Sequence, residues 1–310
     1  MSQTRFHFLK SYGSLLGLIG ICLVLGILSD RFLTLSNLTN VARQVSINAI
    51  LASGMTLVII TGGIDLSVGS LVALTGCSAL LAMGLPGADV TGILVGLLGG
   101  AAAGALSGIL VAYGRVPPFI GTLAMLIMAR GTALAVTSGQ PIVRSSGFYL
   151  FFGEGYLGPV PVPICIMILV LLACHFILSK TPMGSSIYAI GGNEEAARLS
   201  GIRIGRMKIA VYVISGLCSA IAGLVLSARL ASAQPNTGVA FELDAIAAVV
   251  LGGTSLMGGK GGIWGTLIGA FIIGVLNNGF NLLNVSPYYQ LIAKGAIIIF
   301  AVLVDQVIKR

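Results

Sequence analysis

Asn277, Asn281 and Asn284 follow one another at i, i+4 and i+7 inside an apolar run, with Asn278 beside the first; Gln44 and Asn48 form a second i, i+4 pair. On a helix each set falls on one face. A neutral amide offers a donor and an acceptor, enough to hold an uncharged, hydroxylated solute and then release it. The same groups also bond helices to one another in lipid. Polar residues within apolar spans are costly, so Asn48, Asn277, Asn281 and Asn284 are candidates for a solute pathway, with interhelical amide bonding as the other reading. Asp65 lies in the turn of Ile60–Ser70, ITGGIDLSVGS, ahead of Ser67 and Ser70. It suits a helix cap, and a gate or coupling position is the alternative.

Other chemistry is missing its parts. Cys22, Cys77, Cys165, Cys174 and Cys218 all sit in apolar runs without a CxxC, and His7 and His175 are the only histidines. We expect buried thiols and no metal site. No HExxH, GxSxG or carboxylate pair within a span appears, so no catalytic residue is assigned. The run at Lys260 fails as a phosphate loop, with Thr254 in place of the first glycine and Gly261 in place of Ser or Thr. ATP chemistry, if it drives this chain, belongs to another polypeptide.

The elements that must position these residues are set by composition. The 310 residues are 56% hydrophobic and 8% charged, with a mean hydropathy of +1.05. A soluble domain carries about 25% charged residues, so lipid is the expected solvent. The net charge of +8 does not suggest nucleic acid, because the basic residues punctuate the apolar runs. We expect one all-α domain over 1–310, a polytopic integral membrane protein of about ten transmembrane or re-entrant helices. The segments are 12–29, 41–61, 66–84, 90–113, 118–138, 161–178, 209–228, 243–257, 262–283 and 288–306, each judged against the roughly 20 residues of a span. The eighth is short and glycine-rich and reads as a half-helix; eight spans is the alternative count. Arg5 and Lys10 precede the first run in the manner of a signal peptide, but no small-x-small site follows, so an uncleaved helix is expected.

With both termini inside, Arg115, the 179–208 loop, Lys260, Lys309 and Arg310 fall on the inner side, as the positive-inside rule requires. Gly92, Gly96, Gly100, Gly104 and Gly108 recur every fourth residue, and Gly261, Gly265 and Gly269 repeat the device. Such stripes let helix backbones approach closely. Ile60–Ser70 and Val250–Gly262 echo one another, each a span ending in a Gly-Gly turn, as in transporters with internal repeats. The 139–160 loop is rich in Gly, Pro and aromatics and is expected to be ordered at the interface.

The most polar segment is 179–208. Within it Asn193 is a plausible N-cap, Glu194 and Glu195 suit the positive helix end, Ala196, Ala197 and Leu199 make a small apolar face, and Gly201 ends the turn. This predicts a short amphipathic helix that meets a partner groove; a merely solvated turn is the bland reading. The stretch AIGGNEEAARLSGI resembles the coupling loop of binding-protein-dependent sugar permeases of ABC importers, ribose type. GMTLVIITGGIDLSVGSLVALTG (Gly54–Gly76), ELDAIAAVVLGGTSLMGGKG (Glu242–Gly261) and the run after it resemble further blocks of that family, which together extend from about Phe32 to Asp305.

The resemblance implies a type II-importer-like bundle in the bacterial cytoplasmic (inner) membrane. It implies a homodimeric channel made with a second copy of the permease, embedded in membrane lipid. It also implies an ATPase with tandem cassettes, carrying ATP and Mg, and a periplasmic or extracellular sugar-binding protein. Gly192, Asn193, Glu194, Ala196, Ala197 and Gly201 would then couple the channel to the ATPase. The expected solute is a monosaccharide moved inward, ribose first, with a hexose of galactose type or another pentose behind it. An ion-coupled secondary transporter is the alternative; it would need a midplane acid, which the spans do not show.

Overall fold

A computed structural model describes the backbone of residues 2–84, 88–144 and 146–309, and the side chains of 13–84, 88–144, 146–297 and 299. The side chains of Arg5, His7, Lys10, Lys309 and Arg310 lie outside the described residues. The chain begins with α1 (Ser2–Leu28), α2 (Leu35–Ile60), α3 (Val68–Ala82), α4 (Asp89–Ala112) and α5 (Pro118–Thr137). Next come β1 (Ile142–Val143), α6 (Gly147–Glu154), β2 (Tyr156–Leu157), β3 (Val160–Pro161) and α7 (Val162–Lys180). The chain continues through α8 (Pro182–Gly192), α9 (Glu194–Leu199), α10 (Ile204–Leu230) and β4 (Ser232–Ala233). It closes with α11 (Phe241–Leu251), α12 (Ile263–Leu282) and α13 (Pro287–Lys309).

Each of the ten expected segments has a helical counterpart. Among the described residues six helices are long and apolar enough to cross a membrane: α2, α4, α5, α7, α10 and α12. The stretches Gly13–Leu28 and Val68–Ala82 are apolar but shorter. α11 stops at Leu251, six residues before the expected end, because Gly252 caps it and Gly253 turns away at positive φ. Its 11 residues reach only about 16 Å at 1.5 Å per residue, half the hydrocarbon layer. The strands are two small antiparallel pairs, β1 with β4 and β2 with β3. They order the 139–160 loop together with α6, whose Tyr149 is buried and donates to Leu224 O at 3.0 Å.

α2 is the hub, buried along nearly all of its second half and packed by α7, α10, α11 and α12. The outer helices turn apolar side chains outward instead, with Leu98 of α4 at 67% and Leu169 of α7 at 69% exposure. Exposed leucines in such numbers need a lipid solvent.

The first glycine stripe is a packing face. Gly92, Gly96, Gly100, Gly104 and Gly108 are all buried on α4. A Cβ at Gly104 would lie 2.9 Å from the Tyr212 carbonyl carbon and 3.1 Å from the Val213 Cα on α10. The second stripe is shorter than the sequence suggests. Gly265 and Gly269 lie against Gly252 and Ala248 of α11, but Gly261 precedes α12 with φ of 145° and faces Thr254.

Candidate functional site

Two groups of polar residues lie at opposite ends of the helices. The basic end carries Arg115, Lys180, Lys208 and Lys260. There the chain leaves α7 and at once forms α8, a helix the sequence reading missed. Its signal is Thr181-Pro182: the Thr181 Oγ1 accepts from Gly184 N at 3.3 Å, and a proline in the first turn needs no donor. α9 follows as expected. Asn193 Oδ1 accepts from Ala196 N at 2.9 Å, and Glu194 and Glu195 occupy the first turn. Gly201 ends the helix at φ 84°, its N–H bonded to Arg198 O while Ile202 N reaches Ala197 O. That is the Schellman arrangement, which favours glycine.

Ala197 points inward and is buried, whereas Ala196 is exposed and Leu199 is 82% exposed. Glu194 accepts from Lys208 Nζ at 2.8 Å, tying α9 to α10. Gly191 lies against the Ile60 carbonyl and the Gly259 amide, and a Cβ at Gly258 would be 2.9 Å from Gly191 O and 3.0 Å from Gly62 N. Gly259 N donates to Ile60 O at 2.9 Å. Tyr188 donates to Gly261 O at 2.8 Å, and burial pushes its hydroxyl above the usual range, so it stays a donor. The two Gly-Gly turns that echo one another in sequence thus meet each other, and α8 sits on both. Gly192, just before Asn193, is exposed beside Gly259.

Asp65 belongs to the same end and does not cap α3. Ser67 takes that position, and Asp65, fully buried, accepts from Ser67 N at 3.0 Å, Ser67 Oγ at 2.6 Å and Ser215 Oγ at 2.7 Å. The carboxylate therefore fastens the α2–α3 turn to the middle of α10.

At the opposite end the asparagines separate into different tasks. Asn278 and Asn37 exchange amide bonds of 2.9 and 3.0 Å between α12 and α2. Asn281 accepts from Gln290 at 3.0 Å. Asn284 is not on the α12 face. The helix ends at Leu282, and Asn284 takes φ 53° while Val285 N bonds to Phe280 O and Asn284 N to Asn281 O. An asparagine tolerates that left-handed position better than most residues, so here it stops the helix. Asn48 and Asn277 differ from all of these. Each has its amide oxygen buried without a hydrogen-bond partner among the described residues. Leaving such an acceptor unmatched costs about 1–3 kcal/mol, which makes the pair the strongest remaining candidates for a solute hydroxyl.

Charged groups at this end find partners the sequence does not pair. Lys294 bridges to Asp244 at 3.0 Å, joining α13 to α11. Arg130 donates to Pro235 O at 2.5 Å and Thr237 O at 2.7 Å. Arg229 is half-buried and donates to Asn40 Oδ1 at 3.2 Å. Among the described residues no group of three His, Cys, Asp or Glu could hold a metal ion.

Residues 37–302 match the family described as branched-chain amino acid transport system / permease component. The chain is 50% identical to the ribose import permease protein RbsC of Escherichia coli over 309 residues, 97% of this chain and 96% of that one. It is equally 50% identical to the ribose import permease protein RbsC of Bacillus subtilis, over 98% of this chain and 96% of the relative. The D-allose transport system permease protein AlsC of Escherichia coli is 39% identical over 98% and 94%. No solved structure matches the chain.

Proposed function

Because the chain belongs to the permease family just described, we propose that it is the membrane-spanning subunit of an ABC importer that carries ribose inward. The observation that carries this reading is the 50% identity, over nearly the full chain, to the ribose import permeases of Escherichia coli and Bacillus subtilis, against 39% to the allose permease. The subunit works as a pair in the inner membrane, with both termini cytoplasmic and the basic end facing the cytoplasm. A separate ATPase with tandem cassettes binds ATP and Mg and docks on that face, and a soluble binding protein delivers the sugar to the other.

In this reading α9 and its flanks, Gly192 to Gly201, fit a groove on the ATPase. Leu199 projects outward where a partner would cover it, and Lys208 holds Glu194 in place. Movement of α9 passes through α8 to the two Gly-Gly turns that end α2 and follow α11. Those turns sit between the cytoplasm and the spans bearing Asn48 and Asn277, so their displacement opens or closes the path below the sugar. The amide oxygens of Asn48 and Asn277 offer acceptors to its hydroxyls.

The test is uptake in proteoliposomes. With the ATPase inside and the binding protein outside, labelled ribose should accumulate only with ATP. Accumulation by the permease alone under an imposed ion gradient would establish the ion-coupled alternative. Competition by allose or xylose equal to that by ribose would leave the importer reading intact and overturn the choice of sugar.

A further inference from the structure

A surface cavity of about 470 Å³ opens at the basic end, between the α4–α5 turn and the start of α10. Val111 and Ile204 give it apolar walls, and its charged lining is Arg115, Arg198 and Lys208 against the single acid Glu194. Three cations face one anion, and the anion is already engaged by Lys208. Arg198 meets Glu195 at 3.2 Å, but both side chains are mostly exposed, so that pair contributes little. Arg115 makes no hydrogen bond or ion pair among the described residues, and the turn holds its backbone at φ 52°, a conformation that is costly for a side-chain-bearing residue. On either side of that turn Tyr113, Phe119 and Ile120 are exposed on the lipid-facing helices α4 and α5. The cavity therefore joins a site deficient in negative charge to an apolar belt.

We propose that this cavity binds the phosphate of an anionic phospholipid, with Arg115 as its main contact and the acyl chains along α4 and α5. A guanidinium is suited to two-pronged phosphate binding, and basic pockets between transmembrane helices hold such headgroups. The assignment does not depend on which sugar is carried; because α9, which lends Glu194 and Arg198 to one wall, is also the element proposed to meet the ATPase, the lipid is placed on the Arg115 side of the cavity. The lipid shares its phosphate with soluble anions, and the experiment separates the two sources.

The permease, purified in mild detergent, is incubated with phosphatidylglycerol, with phosphatidylcholine, or with phosphatidylglycerol plus inorganic phosphate, and bound lipid is counted by native mass spectrometry. Phosphatidylglycerol should be retained over phosphatidylcholine. Arg115→Gln should weaken that retention about fivefold, Arg115→Lys should restore most of it, and Lys180→Gln, an equal loss of charge outside the cavity, should leave it unchanged. Unfolding temperatures of the variants identify any loss that comes from misfolding, and Arg115→Lys then carries the comparison. Displacement by millimolar phosphate would keep the anion site and overturn the lipid as its occupant. No preference for phosphatidylglycerol, or an equal loss in Lys180→Gln, would overturn the proposal.

Discussion

The seam between α4 and α10 and the junction of residues 60–63, 191–192 and 258–259 are both built on glycine, yet they join different kinds of backbone. Along the seam two regular helices run side by side, every amide bonded within its own helix, and glycine supplies nearness alone. At the junction a helix end, α8, meets two chain breaks. Gly62, Gly258 and Gly259 stand at positive φ, and one amide crosses from Gly259 to Ile60. The seam carries packing energy over several turns, whereas the junction is a point contact between segments that belong to different helices. The first should fail as a fold and the second as a transmission.

The largest effect expected from that contrast is at the seam. Gly104→Val drives its side chain into the Tyr212–Val213 backbone, which cannot rotate aside. Overpacking costs about 1–3 kcal/mol where side chains can adjust, so a backbone clash should exceed that. Most of the variant should be lost from the membrane fraction, as read by immunoblot. A variant present at wild-type level would remove the seam from the account.

Gly191→Ala is the matching change at the junction. Its methyl would press on the Ile60 carbonyl and the Gly259 amide. That methyl also meets backbone, but at a single point rather than along a seam, so abundance should fall less than in Gly104→Val while ATP-driven ribose uptake largely disappears. If abundance and uptake fall in step, the two glycine contacts do not differ in kind.

A smaller loss is expected one step further out. Glu194→Lys sets a cation beside Lys208 and should unseat α9. Sugar uptake should drop severalfold, while the ATPase, assayed with this permease, loses its stimulation by the loaded binding protein. Full stimulation with assembled complex would show that α9 is not the coupling element.

The smallest effects compare neighbours. Asn278→Leu strands the Asn37 amide oxygen, whose NH2 keeps its bond to Phe32 O, and should lower stability by about 1 kcal/mol, seen as a reduced unfolding temperature. Asn277→Leu removes an unpartnered oxygen, so stability should hold or rise while the ribose concentration for half-maximal uptake increases. The reverse assignment of the two readouts would exchange their roles.

Much of this architecture is legible in the residues. Apolar runs place the helices because the membrane demands length and hydrophobicity, and the fourfold glycine period predicts a seam. Asn193, Glu194 and Gly201 outline α9 through local capping rules. α8 was missed because its start rests on one Thr-Pro pair and its interior is mixed small and apolar. Asn284 was misplaced because regular spacing says nothing of where a helix stops. The pairs Asn37–Asn278, Asp65–Ser215 and Asp244–Lys294 join residues far apart in the chain, and a single sequence holds no local trace of such meetings. For the same reason Asn48 and Asn277 stand out only once the other amides have found partners.

The non-helical stretch from Gly252 to Gly262 bears on how the protein is made. Few of its peptide groups are bonded among themselves, as in Ser255 N to Lys260 O, and Gly259 depends on Ile60. At the basic end water can bond the exposed ones, but the amide that meets Ile60 has its partner only after α2 is in place. An α11 of 11 residues is too short to span lipid alone, so we expect it to settle only once α12 has followed and Gly259 has closed against Ile60 of α2. The Gly259 amide should therefore become protected from exchange later than an amide within α4.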